Sequence, residues 1–238
     1  MLDTLNLGLY NVGPAPGSQY LGTLLPSDVT VEFGGMHLYG GSLLELWGVE
    51  EAIVRKAVDA ARGKNWDAFI MAGAPTELMN PTILKDLKSA LNMPVCTAMQ
   101  SCSAALKALG ARRILVMTPF DDLMNSLLGE YLRRDGFEAV FVGQLLPYFL
   151  DGAKQGPEEI YKMATEAFHK VGGAQAIYFQ GGWPSDISVI ERLEKDLNTS
   201  VVASNMAMLW YMLSSLGRSY RLQGGGKLLS AWPALPVS

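Results

Sequence analysis

Short apolar runs alternate along the chain with stretches of helical periodicity, and each run closes on turn residues. Such runs stand near 5–10, 28–33, 67–72, 93–97, 112–117, 138–143, 174–179 and 200–203. The alternation predicts parallel strands joined by crossover helices. From Leu43 to Ala61 a single helix is expected, with Leu44, Trp47, Val49, Ala52, Ile53 and Ala57 on a buried face and Glu50, Glu51, Arg55 and Asp59 outside. A second helix is predicted from Asp121 to Arg134 and a third from Pro157 to Lys170. Pro157 suits a first helical position, and Glu158 and Glu159 suit the positive end of the helix dipole.

The pattern occurs twice, 107 positions apart. DAFIMAGAP at 67–75 falls on AQAIYFQGG at 174–182, so Gly73 meets Gln180 and Ala74 meets Gly181. LGLYN at 7–11 falls on ILVMT at 114–118, and VCTAMQ at 95–100 on VASNMA at 202–207. The helix ends Leu109-Gly110 and Leu216-Gly217 agree as well. Landmarks sharing one offset over so long a span describe a duplicated structural unit rather than a short solenoid repeat. The expected organisation is a first half at 1–111, a second at 112–218 and a tail at 219–238, with function on the seam between the halves. GGG at 224–226 lacks the strand-turn-helix setting of a phosphate loop and reads as a flexible connector.

Composition narrows the function class. At 238 residues, 49% hydrophobic and 18% charged, the chain can bury a sizeable core. A net charge of -4 and a pI near 5.2 give no basic stripe, which argues against a nucleic-acid partner. No apolar run approaches the roughly 18 residues of a membrane span, and the opening MLDTLNLGLYN lacks the basic start of a secretory signal. A cytoplasmic location is expected, and a homo-oligomer is left open. Cys96 and Cys102 make neither a zinc pattern nor a disulfide framework, and two histidines are too few for a histidine metal site. No metal is expected.

In open parallel sheets ligands bind beyond the carboxyl ends of the strands. The turns expected there run from Asn11 to Pro14, Gly73 to Glu77 and Thr97 to Gln100, then from Thr118 to Asp121, Gln180 to Asp186 and Ser204 to Met206. In AGAPTE at 72–77 and QGGWPSD at 180–186 the hydroxyls suit helix caps, and exposed amides suit a carboxylate or a developing enolate oxygen. Glycine that merely permits the turn fits the same residues. Glu77 and Asp186 are the nearest acids; buried, either could move a proton, and solvated, either would simply face a helix dipole. Asp121 and Asp122 share that ambiguity. His37 stands among glycines in GGMHLYGG and is a second proton-transfer candidate, a packing histidine being the alternative. Trp183 walls a pocket or packs in the core. Cys96 in a strand and Cys102 in a helix read as packing residues, and His169 as structural.

The two halves, the AGAPTE and QGGW turns, TPFDDLMNSLL and VVASNMAMLW together resemble the aspartate/glutamate racemase superfamily, and most closely its arylmalonate decarboxylase and maleate cis-trans isomerase branch. The resemblance covers nearly the whole chain up to about residue 217. It implies an α/β fold of two pseudo-symmetric Rossmann-like halves, each a mainly parallel sheet flanked by helices. It also implies a cofactor-free site for a small carboxylate substrate between the halves, and chemistry through a carbanion or enolate.

In that family one or two cysteines, one per half, exchange protons or add to the substrate. The matching positions are Gly73, or its neighbour Ala74, and Gln180, and none is cysteine. Decarboxylases of the branch are similar in having glycine at the first position but keep cysteine at the second. An amide does not titrate near neutral pH and cannot replace a thiolate. The family's oxyanion-binding groups map onto Ala74, Pro75 and Thr76, then Phe120 beside Thr118, then Gly181 and Gly182. Phe120 lacks the hydroxyl and Pro75 the amide hydrogen, so a remodelled cradle is expected. The resemblance with these departures implies a decarboxylase or related lyase first. In that reading Asn11, Gly73, Ala74, Pro75, Thr76, Thr118, Phe120, Gly181, Gly182 and Trp183 surround the substrate. Glu77, Gln180 or His37 carry the chemistry. A cysteine-independent isomerase or racemase and a noncatalytic carboxylate binder are the alternatives.

Overall fold

Eight parallel strands form two sheets of four in the structure, a computed structural model that describes residues 3–13, 21–181 and 188–237. The chain folds as two compact units, Met1–Met99 and Gln100–Ser238. In unit 1, β1 (Leu5–Asn11), β2 (Val29–Gly35), β3 (Ala68–Ala72) and β4 (Val95–Thr97) are ordered β2-β1-β3-β4. In unit 2, β5 (Arg113–Met117), β6 (Glu138–Val140), β7 (Ala176–Phe179) and β8 (Ser200–Ala203) repeat that order as β6-β5-β7-β8. All eight predicted strands are present. The duplication read from short sequence echoes is thus a duplication of topology.

Helices α1 (Glu50–Ala61), α2 (Ala74–Met79), α3 (Ile83–Ala90) and α4 (Ala98–Ala108) connect and flank the first four strands, with α4 continuing into unit 2. Helices α5 (Asp122–Arg134), α6 (Pro157–Lys170), α7 (Ser188–Leu197) and α8 (Ser204–Ser215) do the same for the second sheet, and α9 (Gly226–Ala231) follows. The central strands β3 and β7 are buried at every residue, as expected of sheets covered on both faces. In unit 1, Ile53 and Ala57 of α1 and Ile83 and Leu87 of α3 are buried with Phe69, Ile70 and Met71. In unit 2, Ile160, Ala164, Ile190 and Leu193 are buried with Leu115, Ile177 and Tyr178.

One predicted helix is divided. The segment expected to run unbroken from Leu43 to Ala61 is a 3-10 turn, Leu43–Leu46, followed by α1 from Glu50. Gly48, at φ +67°, breaks the helical path, and buried Asn80 holds both edges of the gap. Its amide nitrogen donates to the carbonyls of Leu46 and Thr76 at 2.9 Å each, and its oxygen accepts the N–H of Val49 at 2.9 Å. With the register lost, Leu44 and Trp47 are 53% and 60% exposed instead of buried. Leu46 takes the inward place.

The segment with the three glycines is structured, not a connector. Gly225 caps α9 and Gly226 begins it, and Leu228, Leu229 and Trp232 are buried. Glu194 on α7, only 7% exposed, accepts the N–H of Val201 at 2.9 Å and that of Lys227 at 2.8 Å. Trp210 donates its indole N–H to the Pro233 carbonyl and Trp232 donates to Ser214, each at 3.0 Å. The last segment is therefore fastened to unit 2 by α7, α8 and β8.

Burial pushes the Glu194 carboxyl above the ordinary 4.5, against the opposing pull of the two backbone N–H groups and the Lys227 ammonium. The folded state then holds this proton more tightly than the unfolded state does. Stability from this group is complete below the unfolded value and is lost as pH rises through the folded one. Urea midpoints of the parent chain are expected to fall across that range, and Glu194→Gln to flatten the slope. An unchanged slope in the variant would assign it to other carboxyls.

Candidate functional site

The carboxyl ends of β1 and β3 bring several predicted residues together in unit 1. Asn11 closes β1 and its side-chain oxygen accepts the N–H of Gly13 at 3.1 Å. That bond fixes the amide so that its nitrogen is the end left to donate. Gly73 follows β3 at φ +94°, a conformation that strains any residue with a Cβ. A Cβ placed there would stand 3.5 Å from the Thr76 hydroxyl oxygen and 3.6 Å from Asn11 Oδ1, so Asn11, Gly73 and Thr76 are neighbours. The position excludes side chains by conformation more than by space.

Thr76 does not cap the short helix α2 with its side chain. Its hydroxyl donates to the Ala72 carbonyl at 3.2 Å, so its hydrogen is spent within the turn. Ala74 and Pro75 are buried in the first turn of α2. Glu77 is also buried, 9% exposed, and its carboxylate accepts the Thr97 hydroxyl in a short hydrogen bond. Thr97 ends β4, so this acid belongs to the carboxyl edge of the sheet and is not a solvated first-turn charge. His37 is exposed with φ +52°. Its neighbours hold the loop against β1, Met36 N–H donating to Asn11 O at 2.8 Å and Leu38 N–H to Val12 O at 2.7 Å.

Unit 2 offers a corresponding edge with different chemistry. Gln180 follows β7 and is 1% exposed. Its side-chain oxygen accepts the N–H of Gly181 at 3.0 Å. The amide therefore curls back onto the next backbone donor, and its nitrogen becomes the donor end. Gly181 has φ +81°, and a Cβ would meet Pro119 Cδ at 2.7 Å. Both conformation and space demand glycine there. Gly182, Trp183 and Asp186 lie outside the described residues.

The turn after β5 packs against Gly181 and is locked by a residue that sequence reasoning missed. Asn125 on α5 accepts the Thr118 hydroxyl at 2.5 Å and donates to the Phe120 carbonyl at 3.0 Å, while Thr118 accepts the Phe120 N–H at 3.1 Å. Phe120 is 3% exposed, and its ring would touch a Cβ at 181 at 3.4 Å. Asp121 caps α5 by accepting the Met124 N–H at 2.9 Å, which leaves it a structural task. The signal for Asn125 was an asparagine facing inward in the first turns of α5, a position where exposed polar residues are otherwise usual.

The expected polar turns from Thr97 and from Ser204 are not loops. Helices α4 and α8 begin directly after the strands, at Ala98 and Ser204. Cys96 in β4 and Cys102 in α4 are both fully buried. Among the described residues no cluster of metal-ligating side chains occurs, and no helix is long and apolar enough to cross a membrane.

Comparison with solved structures finds the same fold. Maleate isomerase from Pseudomonas putida superposes with a TM-score of 0.80 at 19% identity, covering 97% of this chain and 100% of that one. Unliganded arylmalonate decarboxylase gives 0.79 at 20% identity, covering 96% and 100%. A Nocardia farcinica maleate cis-trans isomerase with a covalently bound succinylcysteine intermediate gives 0.76 at 17% identity, covering 96% and 99%. No individually curated protein sequence matches. The sequence profile of the arylmalonate decarboxylase family matches residues 76–229, a span from the Thr76 turn through Gln180 to the docked C-terminal helix. With well over half of the chain inside that match, and the paired four-stranded sheets expected of such a protein, the chain belongs to the arylmalonate decarboxylase family.

Proposed function

We propose that the protein is a cofactor-independent decarboxylase of a small carboxylic acid, working through an enediolate. The observation that carries this reading is the buried Glu77 carboxyl beside Thr97, at the carboxyl edge of a sheet in a chain of this family. Decarboxylation breaks one carbon–carbon bond and leaves its electron pair on the α-carbon, delocalised into the remaining carboxylate. That intermediate needs hydrogen-bond donors for its oxygens and one proton for its carbon. Asn11 supplies a side-chain N–H donor, because its amide oxygen is already committed to the Gly13 N–H. Gly73 keeps the turn bare of side chain. Glu77 in its acid form returns the proton, with Thr97 orienting it. Lyase chemistry, freedom from a cofactor and a cytoplasmic setting are parts of this proposal.

Isomerisation through a cysteine adduct is the weaker reading, since the cysteines here are buried in β4 and α4. The test is a panel of phenylmalonate, methylmalonate and maleate incubated with the purified chain without added cofactor. Carbon dioxide release from a malonate is expected, with Glu77→Gln lowering the rate about 10²-fold or more. Maleate converted without carbon dioxide release would move the assignment to an isomerase. If every compound stays unchanged while one raises the melting temperature, the chain is a binder and the enzymatic reading fails.

A further inference from the structure

Unit 2 holds a cavity that the proposed chemistry does not use. Its volume is about 450 Å³, within the usual range for small-molecule sites, and Ser103, Lys107, Tyr131, Asp135, Tyr211 and Leu235 are among its lining. The helix α5 separates it from the Phe120 turn. Asp121 begins that helix and Asp135 ends it, so the rise of the intervening turns puts about 20 Å between them. The apolar side of the cavity exists because the C-terminal segment is fastened down, the Trp210 bond to Pro233 and the Trp232 bond to Ser214 holding Leu235 in place.

The polar side is built around one ion pair. Both oxygens of Asp135 are engaged, one by the Ser103 hydroxyl and one by the Lys107 ammonium. Asp135 and Lys107 thereby neutralise one another, and each carboxylate oxygen accepts one hydrogen bond. An ammonium has three N–H donors, and Lys107 spends one on Asp135 while its side chain stays 42% exposed. The Tyr131 and Tyr211 phenols add hydroxyls beside ring surface. The cavity thus pairs an ammonium donor, charge-balanced by Asp135, with aromatic and aliphatic walls.

We infer that this cavity is a second ligand site for a small amphipathic monocarboxylate, its carboxylate on Lys107 and its apolar body between the tyrosine rings and the C-terminal segment. An aryl or short alkyl chain fits the volume.

Calorimetric titration of the full chain with phenylacetate, and separately with hexanoate, tests the site. Saturable binding is expected below about 10 mM, weakened at least about tenfold by Lys107→Gln and by Tyr211→Leu, and retained in Asn11→Ala. Variants are accepted only when their circular dichroism and melting match the parent. Binding abolished by Asn11→Ala but untouched by Lys107→Gln would place the acid at the carboxyl-edge turns and overturn the inference. So would the absence of saturable binding by either compound. Because the titration requires no turnover, it stands or falls independently of the decarboxylase reading.

Discussion

Gln180→Cys is expected to raise phenylmalonate decarboxylation by about 10²-fold over the parent chain. The substitution changes two things at one position. It removes the side-chain oxygen that occupies the Gly181 N–H, so that this backbone donor can face an enediolate oxygen. It also puts a titratable group at a site only 1% exposed, where burial keeps a thiol protonated near neutral pH and ready to give its proton to carbon. Glycine at 181 and the Asn125-locked turn beside it need no change, because their geometry does not depend on the side chain at 180. Gln180→Ala separates the two contributions, since it frees the N–H without adding an acid. Initial rates of carbon dioxide release for the three proteins decide the matter. Equal rates for the cysteine and alanine variants would show that no reacting carbon comes near residue 180.

Asn80→Ala is expected to cost about 3–4 kcal/mol of stability, the largest loss anticipated from any single polar side chain in unit 1. Asn80 is fully buried, and all three of its hydrogen bonds go to backbone groups. Truncation strands the carbonyls of Leu46 and Thr76 and the N–H of Val49 in an apolar setting, each without its partner. Asn80→Asp keeps the size but offers only acceptors to two carbonyls, so the loss should be comparable. Urea midpoints measure it. A loss under about 1 kcal/mol would mean that water replaces the amide. The same substitution is expected to lower turnover, because Asn80 ties down the helix that carries Glu77.

The strands were legible because a segment buried on both faces must be apolar throughout, and β3 and β7 are buried at every position. The helix from Pro157 to Lys170 was equally legible from its proline and first-turn acids. The helix over Leu43 to Ala61 misled for a physical reason. Its periodicity is sound within α1, but Gly48 at φ +67° interrupts it, and the partner that holds the gap, Asn80, lies about thirty residues downstream. No local pattern encodes a hydrogen bond of that span. The glycines at 224–226 misled for a related reason, since it is the distant Glu194 that caps the helix they start.

For the candidate site, sequence located the turns and tertiary structure decided what each turn can do. Residue identity alone fixed the absence of a thiol at 73, 74 and 180, of a hydroxyl at Phe120 and of an N–H at Pro75. It could not say that Glu77 is buried against Thr97, that Thr76 spends its hydrogen on Ala72, or that Gln180 folds back on Gly181. Periodicity and turn chemistry are local properties, set by a residue and its near neighbours. Burial and hydrogen-bond partners depend on segments brought together only when the chain folds, and those decide which group is left to act on a ligand.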